Sequence, residues 1–506
     1  MQISECRDDI SQPRMWVAEA GWIRNLAQCI FVLLCAETLY SVAYRSVYLS
    51  SNSKSLAACA AVCTLAVIAV LFAFRQSILA KFGKLASVSS SGSKRWLAFW
   101  LILGLVLRVA WTLRFPVALK SDHLAFFDNA AVMAAGHNPP HAFWPPGFSL
   151  FLAPFFMVFG AHLWVALVCA QLLFVATYFI TYAIARRIQG NQAARIAPML
   201  IAIWPGYLTL AGINFRENLL AVLLPATLLL YMKASDERPD PDSDSANTRF
   251  RWGYVIAAGI CMGFTTLTQP SYMLYPAIIF GYEILRRQEI LPAICRTAVF
   301  SVALIVAISP WTIRNYLTFH RLIPISTNGG YVFYYANNQY ANANTSREGD
   351  VVLDKNDLAT DKLGYKLGEE WIMHNPGAFA ILMVRKQIVY LGDDALGPYE
   401  TLKRDLHPSV LLFASTKGFC NLWWLAVWTL LLLGCSCLFR LQNWRHWYAL
   451  LFLPLLYEWG INSVFESGPR HHLPYVALIG ILLSLAVVTA TKSNSLPSQS
   501  SVTLQS

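Results

Sequence analysis

SDHLAFFDNAAVMAAGHNPPHAFWPPGF, from Ser121 to Phe148, is the first long break in hydrophobicity after Trp96–Phe115, an apolar stretch of membrane-spanning length. It is short of positive charge, with Lys120 at its edge, and carries Asp122, His123, Asp128, His137 and His141. The pattern from Phe126 to Ala135 is that of a short amphipathic helix. Pro145-Pro146 then stops the chain, which re-enters an apolar run from Phe148 to Phe159. An acid and a helix placed together on one membrane face point to a functional site there.

Outward from this loop, composition sets the class. Of 506 residues, 56% are hydrophobic, 13% are charged and seventeen are Trp. Stretches of about 20 apolar residues recur, each long enough to cross a bilayer core of about 30 Å. The chain reads as an all-α polytopic membrane protein with about 12 transmembrane helices. Its net charge of +11 requires no nucleic acid partner, because membrane proteins gather Lys and Arg on the cytoplasmic side. Apart from Cys6, the cysteines lie in or beside apolar spans, so they indicate no disulfide framework. The start, MQISECRDDISQPR, is polar and mixed in charge, unlike a cleavable signal peptide, and the first span is expected to be an uncleaved anchor.

In chain order, residues 1–95 hold a tail, two spans (Gly21–Tyr44 and Ser55–Phe74) and a basic loop. Residues 96–310 form a membrane core with its first outer loop at 116–147. The core spans are Trp96–Phe115, Trp164–Ala185, Ala194–Leu210, Asn218–Met232, Trp252–Leu267, Tyr272–Leu285 and Thr297–Pro310. Residues 311–408 are hydrophilic and include two expected helices, Ala359–His374 and Pro376–Tyr390, which read as a small α-rich cap. Residues 409–490 hold the closing spans Ser409–Phe439, Trp447–Val464 and Leu473–Ala490, and 491–506 are a polar tail. Ala234–Asn247 and the tail are Ser/Pro-rich and read as disordered. Asn344-Thr345-Ser346 matches a glycosylation acceptor, which carries little weight if the host is bacterial. No internal repeat is visible, which speaks against transporters built from duplicated halves.

Basic residues set the orientation. Lys94-Arg95, Arg186-Arg187, Arg286-Arg287 and Arg440–Arg445 fall on one set of loops, which is cytoplasmic by the positive-inside rule. Both termini are then inside, and the Ser121 loop shares the outer face with residues 311–408. That face also gathers Asn214-Phe215-Arg216-Glu217, then Trp311-Thr-Ile-Arg314-Asn315-Tyr316 after an expected helix end at Pro310, then Glu466-Ser-Gly-Pro-Arg470-His471-His472. A lipid-linked phosphate at the membrane surface calls for such arginines, whose forks bind phosphate oxygens bidentately.

Ser121-Asp122-x-x-x-Phe126-x-x-x-Ala130-x-x-x-x-x-Gly136, followed by Pro145-Pro146-Gly147, resembles the first outer loop of the GT-C superfamily of membrane glycosyltransferases. Pro310-Trp311-Thr-Ile-Arg314-Asn315-Tyr316 and Ile323-Pro-Ile-Ser-Thr-Asn-Gly-Gly330 are similar to its bacterial branch, related to protein O-mannosyltransferases and the lipid A aminoarabinose transferase. Arg470-His-His-Leu-Pro474 is similar to an Arg-Tyr-x-x-Pro element near the end of those chains. The departures are Phe126 where Tyr is usual, Gln269-Pro270 where many relatives have Arg-Pro, and Arg216 beside the family's Glu.

The resemblance implies a GT-C-type core in a bacterial inner membrane. It implies transfer of a sugar from polyprenyl phosphate to a hydroxyl of a glycolipid, polysaccharide or protein on the periplasmic side, with inversion. Asp122 is then the general base, a role that contributes about 10²–10⁴-fold. Arg314 or Arg470 meets the departing phosphate, and His123, Arg216, Glu217, Asn315 and His471 complete the substrate contacts. No cofactor is required. A divalent metal stays open, since one Asp and one Glu on different loops neither demand nor exclude it.

Each assignment has a plainer rival. Asp122 is also a favoured helix N-cap, Asp128 suits a solvated helix face, and the three loop histidines have no zinc-ligand spacing. Arg216 and Glu217 either pair with each other or serve the site, and Arg314 either anchors a helix end at the headgroups or binds substrate. Arg108 lies inside an apolar span, where a charge costs at least ~2.5 kcal/mol; it either snorkels outward or makes an internal contact. The rival functions are a lipid-linked saccharide flippase or transporter and an O-antigen-ligase-like enzyme. The first predicts charge deep in several spans, and the notable span charges are Arg108 and Lys417.

Overall fold

The computed structural model describes residues 14–49, positions scattered between 62 and 81, and residues 93–234, 251–287, 289–343, 348–355, 358–403, 410–441 and 444–494. Half of the expected span Ser55–Phe74, nearly all of Ala234–Asn247, the Asn344 trio and most of the tail lie outside these residues. The described residues form helices and turns with no strands.

Among the described residues, seven helices are long and apolar enough to cross a membrane. They are α1 (Arg14–Leu49), α2 (Ser93–Arg114), α5 (Leu163–Gln189), α8 (Glu217–Ala234), α11 (Ile290–Phe319), α15 (Val410–Arg440) and the segment Leu473–Ala490, most of which is α17 (Val476–Asn494). The outer loop supplies α3 (Ser121–Ala134) and α4 (Gly147–Phe159). Shorter helices are α6 (Asn191–Ala202), α7 (Pro205–Thr209), α9 (Trp252–Thr268), α10 (Pro276–Arg287) and α16 (Leu453–Val464). The cap holds α12 (Gly329–Ala336), α13 (Thr360–His374) and α14 (Pro376–Leu391). The closing segment is the centre of the bundle: 94% of its apolar window is buried, against 11% for α2.

Small residues let the bundle close. Gly259 and Gly263 lie one turn apart on α9, and a Cβ on either would stand 2.5 Å from Phe300 O or Ala307 Cβ of α11. The two helices therefore meet at backbone distance, the packing that small-xxx-small spacing permits.

Two expected boundaries are corrected. Ala194–Leu210 is not one span: α6 stops at Ala202, α7 starts at Pro205, and irregular chain runs on to Glu217. Non-helical backbone at this depth needs donors from elsewhere. Arg108 Nη1 donates to Tyr207 O at 2.8 Å, and Gln171 Nε2 donates to Ala211 O at 3.2 Å. Arg108 thus makes an internal contact, fully buried between the Phe174 and Tyr207 rings, each 4.7 Å away. Second, α11 does not end at Pro310 but continues to Phe319, where His320 turns left-handed at φ 52°. Pro310 has no N–H for the Val306 carbonyl, and the Ser309 hydroxyl replaces it at 2.9 Å.

The expected sparsity of span charge also needs correcting. Glu37, Glu283 and Glu458 fall inside expected spans too, and each is paired. Trp459 Nε1 donates to Glu37 at 3.0 Å, Arg296 to Glu283 at 2.6 Å and Tyr475 to Glu458 at 3.1 Å.

At the end of the bundle that carries the Ser121 loop, α3 turns Phe126 and Ala130 inward against Phe148, Leu152 and Phe156 of α4. The Pro145-Pro146-Gly147 step docks on the end of α9, where a Cβ on Gly147 would strike Thr268 Oγ1 and lie 2.5 Å from Thr268 N. In the cap, α12 and α13 cross at Gly330 and Gly364, each seated on the other helix's backbone. Thr327 N donates to Ala142 O at 2.9 Å, joining the cap to the first outer loop.

Candidate active site

Asp122 sits in the first turn of α3, behind Ser121, whose φ of 50° is left-handed. For a non-glycine residue that conformation costs roughly 1–2 kcal/mol, and strain of this kind gathers at functional sites. The Asp122 carboxylate makes no helix cap. One oxygen accepts from the Ser121 hydroxyl at 3.1 Å, and the other accepts from Arg470 Nη1 at 2.9 Å.

Arg470 is the hub. Its Nη2 donates to Glu466 Oε1 at 3.0 Å, four residues back in the same loop, and its Nε lies 3.9 Å from Glu217 Oε1. Glu217 opens α8 from below with a side chain only 2% exposed, and Arg216 Nε lies 3.7 Å from the same oxygen. The Arg216 guanidinium also sits 5.7 Å over the Phe126 ring. Three segments far apart in the chain, at 121–122, 216–217 and 466–471, therefore converge on one spot.

Electrostatics fix the charge states. Burial pushes the Asp122 carboxyl up, but the charges of Arg470 and Arg216, with hydrogen bonds from Arg470 and Ser121, outweigh it and hold the group at about 2. Burial alone favours a neutral Arg470, yet Glu466, Asp122 and Glu217 hold it above the ordinary guanidinium range. His471 is held well below the usual imidazole range by burial and by the charges of Arg470 and Arg216, so it is neutral. Its Nδ1–H then faces Asn462 Oδ1 at 2.5 Å, leaving Nε2 to accept from Arg470 Nε at 3.4 Å. Asn462 in turn donates to Glu458 at 3.0 Å, which gives the site a polar floor on α16.

The structure brings Asp122, Arg216, Glu217, Arg470 and His471 together. It places His123, Arg314 and Asn315 elsewhere. His123 is buried against the Phe215 ring at 4.3 Å, and Asn214 Nδ2 donates to its carbonyl at 3.2 Å. Arg314 reaches Asn138 Oδ1 at 3.3 Å and Pro139 O at 2.5 Å, pinning the first outer loop to α11. Asn315 is fully buried and donates to Ile323 O and Ile325 O at 3.0 and 3.1 Å.

Sequence reasoning gave no role to Glu466, Glu458 or Asn462. The signal was present for the last two: a Glu and an Asn four residues apart inside an apolar span lie on one helix face and call for a polar neighbour. His472, two residues past the hub, faces away. Its Nε2 lies 2.9 Å from Asp394, which also accepts from Trp204 Nε1 at 2.8 Å.

Among the described residues no three His, Cys, Asp or Glu side chains are grouped to hold a metal ion. The cation that Asp122 and Glu217 share is the Arg470 guanidinium.

Residues 144–313 match the family model for dolichyl-phosphate-mannose-protein mannosyltransferases. No curated protein sequence matches the chain. Among solved structures, the chain is similar to the oligosaccharyltransferase AglB from Archaeoglobus fulgidus in complex with an inhibitory peptide and a dolichol-phosphate. That likeness has 13% identity and a TM-score of 0.46, over 78% of this chain and 50% of the other. It is also similar to ArnT from Cupriavidus metallidurans bound to undecaprenyl phosphate, with 16% identity and a TM-score of 0.42, over 80% of this chain and 77% of the other. The chain thus spans about half the length of the archaeal oligosaccharyltransferase.

Proposed function

We propose that this chain is a membrane glycosyltransferase of the GT-C superfamily, a reading that the family-model match over residues 144–313 supports, and that it moves a sugar from a polyprenyl-phosphate donor to an acceptor hydroxyl. The reaction takes place at the outer membrane face, the periplasmic face if the host is bacterial, with both termini in the cytoplasm. The observation that carries this reading is the Asp122–Arg470 pair, with Glu217 beneath it, at a membrane boundary. A base and a phosphate-binding fork share one spot there.

In the resting protein the Arg470 fork is held by Asp122 and Glu466. A donor phosphate competes for the same fork and frees the Asp122 carboxylate, which is already ionised. The acceptor oxygen then attacks the anomeric carbon, and its proton passes to Asp122. The bond from that carbon to the phosphate oxygen breaks with its electron pair, which leaves on the polyprenyl phosphate facing Arg470. Attack opposite the leaving group inverts the anomeric centre. Asp122 and Glu217 already share the Arg470 guanidinium, and among the described residues no third carboxylate or imidazole joins them to hold a divalent metal.

The test uses purified protein in lipid nanodiscs, undecaprenyl-phosphate sugars and an envelope extract as acceptor. Release of undecaprenyl phosphate that requires both acceptor and Asp122 supports the proposal. Release that Asp122→Asn leaves unchanged contradicts it.

A further inference from the structure

The loop that carries Glu466 and Arg470 is held at both ends by one cap helix, and the grip at its near end is a buried lysine. Lys386 on α14 is fully buried, and its ammonium donates to Asn337 Oδ1 at 2.8 Å and Val464 O at 3.0 Å. Val464 is the last residue of α16, where terminal carbonyls lack partners within the helix and the dipole favours a cation. Asn337 Nδ2 donates to the same carbonyl at 2.9 Å, and the Ser467 hydroxyl donates to the carbonyl of Lys386 itself at 2.6 Å. The neighbouring Gln387 reaches Trp459 O at 2.8 Å and Ser463 Oγ at 2.5 Å. At the far end, His472 is fixed to Tyr390 O at 3.2 Å and to Asp394 at 2.9 Å.

Arg470 lies between these two anchors. A buried ammonium is costly, and burial draws this one down to about 7. The hydrogen bonds it makes serve the end of α16 and the start of the loop, which is where the hub arginine takes its position.

We propose that Lys386 is a positioning residue: by closing the C-terminal end of α16 it sets the path of residues 465–472, and so places the Arg470 guanidinium against Asp122. The catalytic consequence rests on the functional reading above, and the geometric one stands without it.

The test uses the full-length chain in nanodiscs as wild type, Lys386→Met, Lys386→Arg, Arg470→Lys and the double variant Lys386→Met/Arg470→Lys. By hydrogen exchange, the amides of 465–472 should exchange about tenfold faster in Lys386→Met, as expected on losing a buried hydrogen bond, while α9 is unchanged and Arg restores protection. Unchanged exchange in the loop overturns the proposal. Per folded molecule, Lys386→Met should lower kcat on the order of 10²-fold, the cost of a small misplacement, with acceptor KM unchanged. The double variant should be no slower than Arg470→Lys alone, because residues that act through one another are non-additive. Additive losses would give Lys386 a merely structural role and overturn the proposal. If Lys386→Met does not fold, Ser467→Ala, which removes only the hydroxyl on the Lys386 carbonyl, enters the same cycle with the same criteria. If the wild type turns over no donor, the functional reading fails, and the exchange measurement still decides the inference.

Discussion

Asp122 and Arg470 are 348 residues apart in the chain and 2.9 Å apart in the structure. The pair closes the first outer loop onto the last. It also means that the Asp122 carboxylate is ionised but covered until something else takes the guanidinium.

The covering has a pH signature. Asp122 is held at about 2, below the ordinary carboxylate value of about 3.9. A depressed carboxylate contributes stability above its ordinary value and loses that contribution as pH falls through the folded value. The melting temperatures of wild type and Asp122→Asn in detergent should therefore differ by a constant amount above about pH 5 and converge towards pH 2. A gap that widens on acidification would rule out the pairing.

Arg470 should separate charge from geometry. Arg470→Met leaves Asp122, Glu217 and Glu466 facing one another and should cost about 3–5 kcal/mol in thermal or denaturant unfolding. Arg470→Lys keeps the charge but not the fork, so it should melt near wild type and transfer about 10²-fold more slowly. Full activity with Lys would show that the fork is not used.

Gly147 is fixed by contact. An alanine there meets the Thr268 backbone as well as its hydroxyl, so Gly147→Ala should destabilise by about 1–3 kcal/mol. Adding Thr268→Ala should not restore stability, because the backbone nitrogen remains. Rescue by the second change would place the clash on the side chain alone.

Arg108 supports the broken stretch that leads to Arg216 and Glu217. Arg108→Lys loses the planar fork between two rings and should behave almost as poorly as Arg108→Met, lowering both melting temperature and transfer. A lysine variant indistinguishable from wild type would mean that charge alone suffices there.

The Pro-Pro-Gly step and the cap helices were legible because prolines and hydrophobic periodicity act locally, whereas the loop helix, expected from Phe126, starts five residues earlier at Ser121 and takes Asp122 into its first turn. The expected Ala359–His374 and Pro376–Tyr390 lie within a residue of the observed Thr360–His374 and Pro376–Leu391. The break at 203–216 was not legible, since its carbonyls are satisfied by Arg108 and Gln171 from other helices. Nor was the helix that runs through Pro310, which depends on one serine hydroxyl. Among the outer-face arginines, sequence offered Arg314 and Arg470 equally. Only tertiary packing aims the first at Asn138 and Pro139 and the second at Asp122.

The most direct measurement is mass spectrometry of envelope glycoconjugates from cells carrying wild type or Asp122→Asn at equal membrane abundance. Loss of one fixed sugar mass from one glycoconjugate in the variant is the expected result, reflecting a turnover drop of about 10²–10⁴-fold. Identical profiles, alongside a defect in a deletion strain, would contradict Asp122 as the base and the transfer reaction built on it.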